Sequence, residues 1–158
     1  MQIMIGIGSN LGERKKEITE AIDFLSSFGP LRVAPWYVSP PYGFDSEKEF
    51  INTAVILETS RAPYELLRKI LDYEKERGRD RKGTFADRPI DLDILLADEL
   101  VVDHQDLRIP HPEMHKRAFV IRPAADLSPA WIHPILKKDL KSLLMECPDA
   151  ATLAPYAS

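Results

Sequence analysis

The run Arg-Pro-Ile-Asp-Leu-Asp-Ile-Leu-Leu at residues 88–96 constrains the fold more than any other stretch of the chain. Four of its apolar residues stand at every second position: Ile90, Leu92, Ile94 and Leu96. Strand side chains alternate between the two faces of a sheet, so the run predicts a strand with one apolar face. Asp91 and Asp93 then share the opposite face, with Cα atoms about 6.6 Å apart.

Two carboxylates on one face of a strand repel each other, and Asp is depleted in strands. A positive group should therefore offset Asp91 and Asp93. One candidate is Mg²⁺, which proteins typically hold with one or two carboxylates together with substrate phosphates. The other candidate is the arginine-rich segment just upstream. The alternative is a half-exposed strand whose outer positions happen to be Asp.

Length and composition exclude several classes of protein. With 158 residues the sequence predicts a single domain over residues 1–158, and 44% apolar with 29% charged residues excludes disordered and fibrous classes. A net charge of −4 argues against a general nucleic-acid binder. The lone Cys147 excludes an intramolecular disulfide and fits the cytoplasm. The apolar run Ile3–Ile7 is too short for a signal peptide or a membrane span.

The order of elements predicts an α+β fold with a ferredoxin-like βαββαβ core. The predicted strands are Met1–Ile7, Leu31–Val38 (interrupted by Pro35), Phe50–Glu58 and the strand at residues 90–96. The predicted helices begin after the N-cap Asn10, with Glu13 completing a capping box, and at Pro63. We expect an antiparallel sheet with helices packed on one face and loops converging on the other.

The C-terminal third predicts additions to this core. They are a hairpin of Glu99–Asp103 and Leu107–Ile109, packing helices at Val120–Ala125 and Leu136–Met145, and a loose tail over Pro148–Ser158. Near the N terminus, Gly6-Ile7-Gly8 is a weak motif. It favours a structural turn between strand and helix, with phosphate binding as the alternative.

Two stretches have the chemistry to bind a flat, amide-bearing ligand. The loop from Ser39 to Ser46 contains consecutive prolines, which leave their carbonyls free. Asn52 lies two residues from Phe50 on a predicted strand, and an amide beside an aromatic ring can read a heterocycle. The alternatives are a plain connecting loop and a structural amide whose hydrogen bonds are satisfied inside the protein.

A basic loop from Arg77 to Arg88 feeds directly into the strand that carries Asp91 and Asp93. Cations beside paired carboxylates can hold a polyphosphate and its metal together, although a solvated charge run is the usual explanation. Further along, His111 stands between two prolines and is rigidly placed. The alternative is that His111 is an ordinary surface residue.

Several motifs together resemble the 6-hydroxymethyl-7,8-dihydropterin pyrophosphokinase family of folate biosynthesis. They are Gly8-Ser9-Asn10-Leu11-Gly12, Phe50-Ile51-Asn52, Gly78-Arg79, Arg88-Pro89-Ile90-Asp91-Leu92-Asp93-Ile94-Leu95, Ile109-Pro110-His111-Pro112 and Arg117-Ala118-Phe119. They occur in family order from residue 3 to about residue 130. Each motif is unspecific alone, but the combination is highly specific.

The resemblance implies transfer of the β,γ-diphosphoryl group of ATP to the pterin hydroxymethyl oxygen, with release of AMP. It implies catalytic roles for Arg79, Arg88, Asp91 and Asp93, the two aspartates binding two Mg²⁺ ions. It implies ATP contacts from Glu74, Arg81, Ile94, His111 and Arg117. It implies pterin contacts from Ser39, Pro40, Tyr42, Phe50, Asn52 and Phe119, with the ring stacked between the two phenylalanines. We expect a monomer with small-molecule substrates only.

The chain departs from the family at Thr84-Phe85-Ala86-Asp87-Arg88, where the family commonly has Arg-Trp-Gly-Pro-Arg. The loop also aligns one residue shorter, and we expect Phe85 to replace the packing of the tryptophan when the loop closes. Two other classes of protein remain as alternatives. A nucleotidyltransferase usually has its Gly-Ser turn and Asp-x-Asp about a dozen residues apart, whereas Ser9 and Asp91 are far apart in sequence. A non-catalytic ferredoxin-like module leaves the arginine loop unexplained.

Overall fold

The computed structural model of the chain describes residues 1–10, 12–39, 49–78, 89–148 and 153–156. The strands are β1 (Gln2–Ser9), β2 (Leu31–Val33), β3 (Tyr37–Ser39), β4 (Phe50–Glu58), β5 (Asp91–Ala97), β6 (Val102–Asp103), β7 (Arg108–Ile109) and β8 (Ala154–Pro155). The helices are α1 (Arg14–Ser26), α2 (Pro63–Glu76), α3 (Ala118–Leu127) and α4 (Leu140–Glu146). Among these residues no helix has the length and apolar character needed to cross a bilayer.

The main sheet has the strand order β5-β1-β4-β3-β8, and β2 also pairs with β4. Every pairing in it is antiparallel. If β2 and β3 are counted as two halves of one strand, the elements β1-α1-β2/β3-β4-α2-β5 form the predicted βαββαβ core. The α+β, ferredoxin-like fold class is therefore confirmed.

The strand predicted at Leu31–Val38 is broken where Pro35 lies. β2 and β3 both pair with β4, and the segment between them leaves the ladder. Proline has no N–H to donate to a neighbouring strand, which explains the break. The hydroxyl of Thr53 on β4 donates to the Ala34 carbonyl at 2.9 Å and so holds this segment against the sheet.

One face of the sheet, which we call the core face, is covered by α1 and α2. Each helix contributes one apolar stripe, which packs against alternate residues of the strands. The buried members of this cluster include Ile3, Ile5, Ile7, Ile18, Leu25, Val55, Leu57, Leu66, Ile70, Leu92 and Ile94. This face is mainly apolar along the central strands, with Ser9 of β1 and Thr53 of β4 as buried polar residues.

The opposite face, which we call the site face, is covered by helices over only part of its length. α3 and α4 pack over Met4, Ile56 and Leu96, because these positions of the sheet are apolar on this side too. The expectation that helices keep to one face is therefore wrong for this part of the sheet. Further along the same strands the apolar residues give way to Asp93, Asp91 and Asn52, which is where the candidate site lies.

The alternation predicted for residues 90–96 holds only as far as Ile94. Met4 of β1 pairs with Leu96, and the next residue, Ile5, pairs with Ile94. Leu95 is therefore an extra residue in a β-bulge. After the bulge, Leu96 packs with the site-face cluster and not with Ile94. The prediction that Leu96 shares a face with Ile90, Leu92 and Ile94 is wrong, because one inserted residue reverses the facing of those that follow.

The predicted capping box of the first helix is also wrong. α1 begins at Arg14 with Glu13 as its N-cap, and no side chain caps it. Asn10 lies three residues earlier and is buried. Gly12 lies between them with φ of 74°, in the left-handed region that glycine tolerates, so the chain turns before the helix starts.

Two features near the C terminus differ from the predicted elements. α4 begins at Leu140, later than predicted, because the Asp139 carboxylate accepts a hydrogen bond from the Ser142 N–H at 2.7 Å and caps the helix there. Within the predicted loose tail, β8 pairs with β3, and the Tyr156 ring packs 5.7 Å from that of Trp36. Residues 153–156 are therefore held against the sheet.

Candidate active site

A row of polar residues crosses four strands at one end of the site face. Asp91 of β5 stands opposite Gly8 of β1, Gly8 stands opposite Asn52 of β4, and Asn52 stands opposite Tyr37 of β3. Residues that face each other in an antiparallel ladder project to the same side. The register therefore brings the predicted metal-binding strand and the predicted pterin-binding strand to one surface, with a glycine between them.

Gly8 is required at its position by the approach of Asn52. A Cβ atom at residue 8 would lie 2.9 Å from the Asn52 Oδ1 and 3.6 Å from a ring carbon of Phe50. The Asn52 Nδ2 donates to the Ser39 hydroxyl at 2.7 Å, and both side chains are buried. The amide is thus oriented from one side by Ser39 and fits against backbone on the other.

The carboxylates of Asp91 and Asp93 lie beside glycines as well. Their neighbours on β1 are Gly8 and Gly6, which have no side chain to cover them, and both aspartates are half-buried. Between them, the Leu92 N–H donates at 2.9 Å to the Glu74 carboxylate of α2, which is fully buried. Glu74 therefore holds the backbone between the two aspartates in place.

The β-bulge at Leu95 fixes the position of His111. The Leu95 carbonyl accepts a hydrogen bond from the His111 N–H at 2.9 Å, which ties the Pro-His-Pro turn to β5. The His111 Nδ1 accepts from the Glu113 N–H at 3.1 Å, so the proton of the neutral ring lies on Nε2. Burial and the nearby Arg117 guanidinium lower the pKa of His111, so the ring is a neutral Nε2–H donor at neutral pH.

A cavity of about 210 Å³ lies next to Asp93 and His111. Its walls come from α2, β5 and the β6–β7 hairpin: Leu67, Leu92, Asp93, Ile94, Gln105, Asp106, Leu107, Arg108, His111 and Pro112. Asp93, Ile94 and His111 are site residues predicted from the sequence. The hairpin residues and Leu67 are not among the predicted site residues. No sequence pattern distinguishes these residues from those of any other hairpin or helix. They line the cavity because the hairpin packs near α2 and β5.

Helix α3 carries the last two predicted residues. Arg117 is its N-cap residue, and Phe119 lies in its first turn. The Arg117 carbonyl accepts from the N–H groups of Val120 and Ile121, so the helix holds this residue's backbone in place. The charge of Arg117 also contributes to the lowered pKa of His111.

The remaining predicted site residues lie outside the described residues. They are Arg79, Arg81, Arg88, Pro40 and Tyr42, and Phe85 and Asp87 of the divergent loop lie outside them as well. The structure therefore bears on the strand, helix and turn residues of the predicted site.

The sequence model of the 7,8-dihydro-6-hydroxymethylpterin-pyrophosphokinase (HPPK) family matches residues 4–129. The chain belongs to the HPPK family. The resemblance and the enzyme class predicted from the motifs are confirmed. The 2-amino-4-hydroxy-6-hydroxymethyldihydropteridine pyrophosphokinase of Aquifex aeolicus is 37% identical over 155 residues, which cover 98% of this chain and 94% of the relative. The protein of the same name from Pseudomonas aeruginosa is 37% identical over 150 residues, covering 93% and 92%.

Solved structures support the same fold. The wild-type HPPK-DHPS of Plasmodium falciparum with pteroate matches with a TM-score of 0.72 at 14% identity, over 92% of this chain. This chain spans 42% of the length of that solved chain. At this identity the match shows that the two share the HPPK fold.

Proposed function

We propose that the chain transfers the β,γ-diphosphoryl group of ATP to the hydroxymethyl oxygen of 6-hydroxymethyl-7,8-dihydropterin. The hydroxyl oxygen bonds to the β-phosphorus while the bond from that phosphorus to the α-phosphate oxygen breaks, so AMP leaves. The observation that carries this proposal is the register of the site face. It joins paired carboxylates, a glycine gap and an oriented amide in one row, in a chain that belongs to the HPPK family.

The donor set at Asp91 and Asp93 fits Mg²⁺. Carboxylate oxygens are hard ligands, and the described residues contain no group of three or more His, Cys, Asp or Glu side chains placed for a metal. Two protein carboxylates completed by phosphate oxygens and water match the usual coordination of Mg²⁺ better than that of structural zinc. We infer that these residues hold two ions, which would neutralise phosphate charge when bound.

Five cationic or donor side chains are proposed for the triphosphate. His111 offers its neutral Nε2–H, and Arg117 offers its guanidinium from the start of α3. Arg79, Arg81 and Arg88 would add further guanidinium groups from the basic loop, Arg79 and Arg88 on the transferring group. These groups would stabilise the negative charge of the reacting phosphates.

We assign the cavity beside Asp93 and His111 to the nucleoside of ATP. Its Leu67, Ile94 and Leu107 walls can contact a flat base, while Gln105 and Asp106 can meet polar groups. Ile94 itself is buried with the core-face cluster, so it contributes a fixed wall. Glu74 acts from beneath the site by holding Leu92, and we assign it to positioning the aspartates that meet the nucleotide phosphates.

The pterin is assigned to the Asn52 end of the row. Asn52 can read the amide edge of the ring, and Ser39 keeps its side chain in that orientation. Phe50, on the same face of β4, and Phe119 of α3 would stack on the two sides of the ring. Pro40 and Tyr42 complete the proposed pterin contacts from the loop after β3.

The reaction is tested by AMP formation from Mg-ATP with and without 6-hydroxymethyl-7,8-dihydropterin. Pterin-dependent AMP supports the diphosphotransferase, whereas release of pyrophosphate would indicate a nucleotidyltransferase. Pterin binding without turnover would favour the non-catalytic module. Residues 1–158 are proposed to act as one domain, as a monomer in the cytoplasm, on small molecules only and without a nucleic-acid or membrane partner. Light scattering of the purified chain tests the monomer.

A further inference from the structure

Tyr37 closes the polar row at the strand beyond Asn52. It stands opposite Asn52 in the register of β3 and β4, two residues before Ser39, whose hydroxyl orients the Asn52 amide. Its ring is buried, with 7% of the residue exposed. None of the residue roles assigned above uses this side chain.

The Tyr37 side chain is held by helix α3. Its hydroxyl donates a short hydrogen bond to the Asp126 carboxylate. The Arg122 guanidinium lies over the Tyr37 ring, 5.3 Å from its centroid, and pairs with Asp126 at 3.5 Å. We call this group of three residues, Tyr37, Arg122 and Asp126, the tyrosine clamp.

The clamp shares a face of α3 with Phe119. Residues at i, i+3 and i+7 lie along one side of a helix, and Phe119, Arg122 and Asp126 have this spacing. The side of α3 that contacts Tyr37 of β3 is therefore the side that carries Phe119, the proposed stacking residue. The helix also contacts β4, the strand of Phe50 and Asn52.

We propose that the tyrosine clamp is a positioning device that sets the gap between Phe119 and the sheet in which the pterin ring stacks. This inference rests on the proposed pterin site. A ring sandwiched between two aromatic side chains requires a defined separation, and Phe119 reaches the sheet through a helix that the clamp ties to β3. Arg122 and Asp126 are positioning residues in this account and do not touch the substrate.

The ionisation of Tyr37 is suited to this task. Burial raises the pKa of its phenol, and the Asp126 carboxylate raises it further. The hydroxyl therefore stays protonated and remains a donor throughout the physiological range. A charged acceptor makes such a hydrogen bond stronger than a neutral pair would.

Replacement Tyr37→Phe tests the clamp, because it removes the hydroxyl and leaves the ring beneath Arg122. We expect the pterin dissociation constant to rise by ~5- to 10-fold. This is less than the ~10- to 150-fold that direct loss of a hydrogen bond to a charged group is worth, because the clamp acts on the pterin only through Phe119. The dissociation constant of Mg-ATP should not change. Pterin fluorescence titration in the presence of a non-hydrolysable ATP analogue measures the pterin dissociation constant. Nucleotide titration measures that of Mg-ATP.

Asp126 provides the second variant. Asp126→Asn keeps an acceptor for Tyr37 and should bind pterin nearly as tightly as the wild type, whereas Asp126→Ala should match Tyr37→Phe. Because both act through one bond, the double variant Tyr37→Phe/Asp126→Ala should be no worse than either single one. Tyr156→Phe is the matched control, since this tyrosine packs on the neighbouring Trp36 and makes no clamp contact among the described residues.

A purely structural role would give a different result. Tyr37→Phe would then lower the melting temperature with both dissociation constants unchanged, or would raise both equally, and either outcome overturns the proposal. Failure of the proposed function is visible separately, because the wild-type chain would then bind no pterin. Absence of pterin binding by the wild-type chain would therefore overturn the clamp proposal as well. If Tyr37→Phe does not fold, the comparison of Asp126→Asn with Asp126→Ala decides.

Discussion

The two faces of the sheet are built from alternate residues of the same strands but serve different purposes. On the core face, β1, β4 and β5 present mainly apolar side chains that pack against α1 and α2, and Ser9 and Thr53 are buried polar exceptions. On the site face, the same strands carry apolar residues under α3 and α4 at one end of the sheet and Asp91, Gly8 and Asn52 at the other end. Stability is therefore concentrated on one face, and chemistry on part of the other.

This difference shows how a small domain can tolerate charges on central strands. The Leu92 side chain packs in the core while its neighbours Asp91 and Asp93 face the site. Burial of the apolar positions offsets the repulsion of the carboxylates, and Glu74 fixes the backbone from beneath. Substitutions on the two faces should separate folding from activity.

The largest effect on stability is expected for Leu57→Ala on the core face. Leu57 is fully buried, and its truncation should lower the free energy of unfolding by about 2–5 kcal/mol. The kcat/KM of the folded fraction should remain that of the wild type. Denaturant unfolding and kinetics at a temperature below the transition measure both. A fall in kcat/KM that exceeds the unfolded fraction would contradict the separation of the two faces.

Glu74→Ala should affect both properties, because Glu74 links the faces. The Leu92 N–H would lose its acceptor, which costs about 1–3 kcal/mol for a buried group, and the aspartates would lose their backbone support. We expect a lower unfolding free energy together with a higher KM for Mg-ATP. Glu74→Gln keeps an acceptor oxygen and serves as the control. Equal damage by both substitutions would show that the charge, and not the hydrogen bond, matters.

Gly8→Ala should damage pterin binding more than stability. The new Cβ would meet the Asn52 Oδ1 at 2.9 Å and displace the amide, so the KM for pterin should rise by about tenfold, equivalent to about 1.4 kcal/mol. Gly6→Ala is the matched control on the same strand. Its Cβ would meet the flexible Leu95 side chain at 3.4 Å, which can move. An equal rise in the KM for pterin in the two variants would refute the role of the glycine gap.

The smallest effect concerns pH and lies away from the site. Burial and the neighbouring His115 lower the pKa of His133, whose Nδ1 accepts from the N–H groups of Ile135 and Leu136. The unfolded chain therefore binds more protons than the folded one below about pH 6.5, so the free energy of unfolding should fall as the pH drops through that range. His133→Asn should make this slope smaller. Denaturant titrations at several pH values measure how the free energy of unfolding depends on pH.

Much of the fold could be predicted from the sequence, because its signals are local. Phe50–Glu58 is a strand with the predicted bounds, and α2 begins at Pro63 as predicted. The error at Leu96 arose because a contact between distant residues decides the outcome there. The bulge at Leu95 satisfies the Leu95 carbonyl with the N–H of His111, and no periodicity in residues 90–96 shows this.

The same distinction applies to the candidate site. Asp91, Asp93 and Asn52 stood out as polar residues on strands, and the register brings them to one face. The tyrosine clamp and the β6–β7 hairpin wall could not be found this way, because tyrosine in a strand and charges on a helix are ordinary. Only the packing of α3 on β3 gives Tyr37 its partner.

The most direct test of the account uses the variant Asp91→Asn/Asp93→Asn, in which both carboxylates become amides of the same size. The account predicts that pterin-dependent AMP formation falls by about a thousandfold or more, since the ligands for the metal are lost. The free energy of unfolding should stay the same or rise, because the repulsion between the carboxylates is removed. Asp23→Asn, at an exposed position of α1, is the control. Retained AMP formation, or a collapse of stability together with activity, would contradict the division between the two faces.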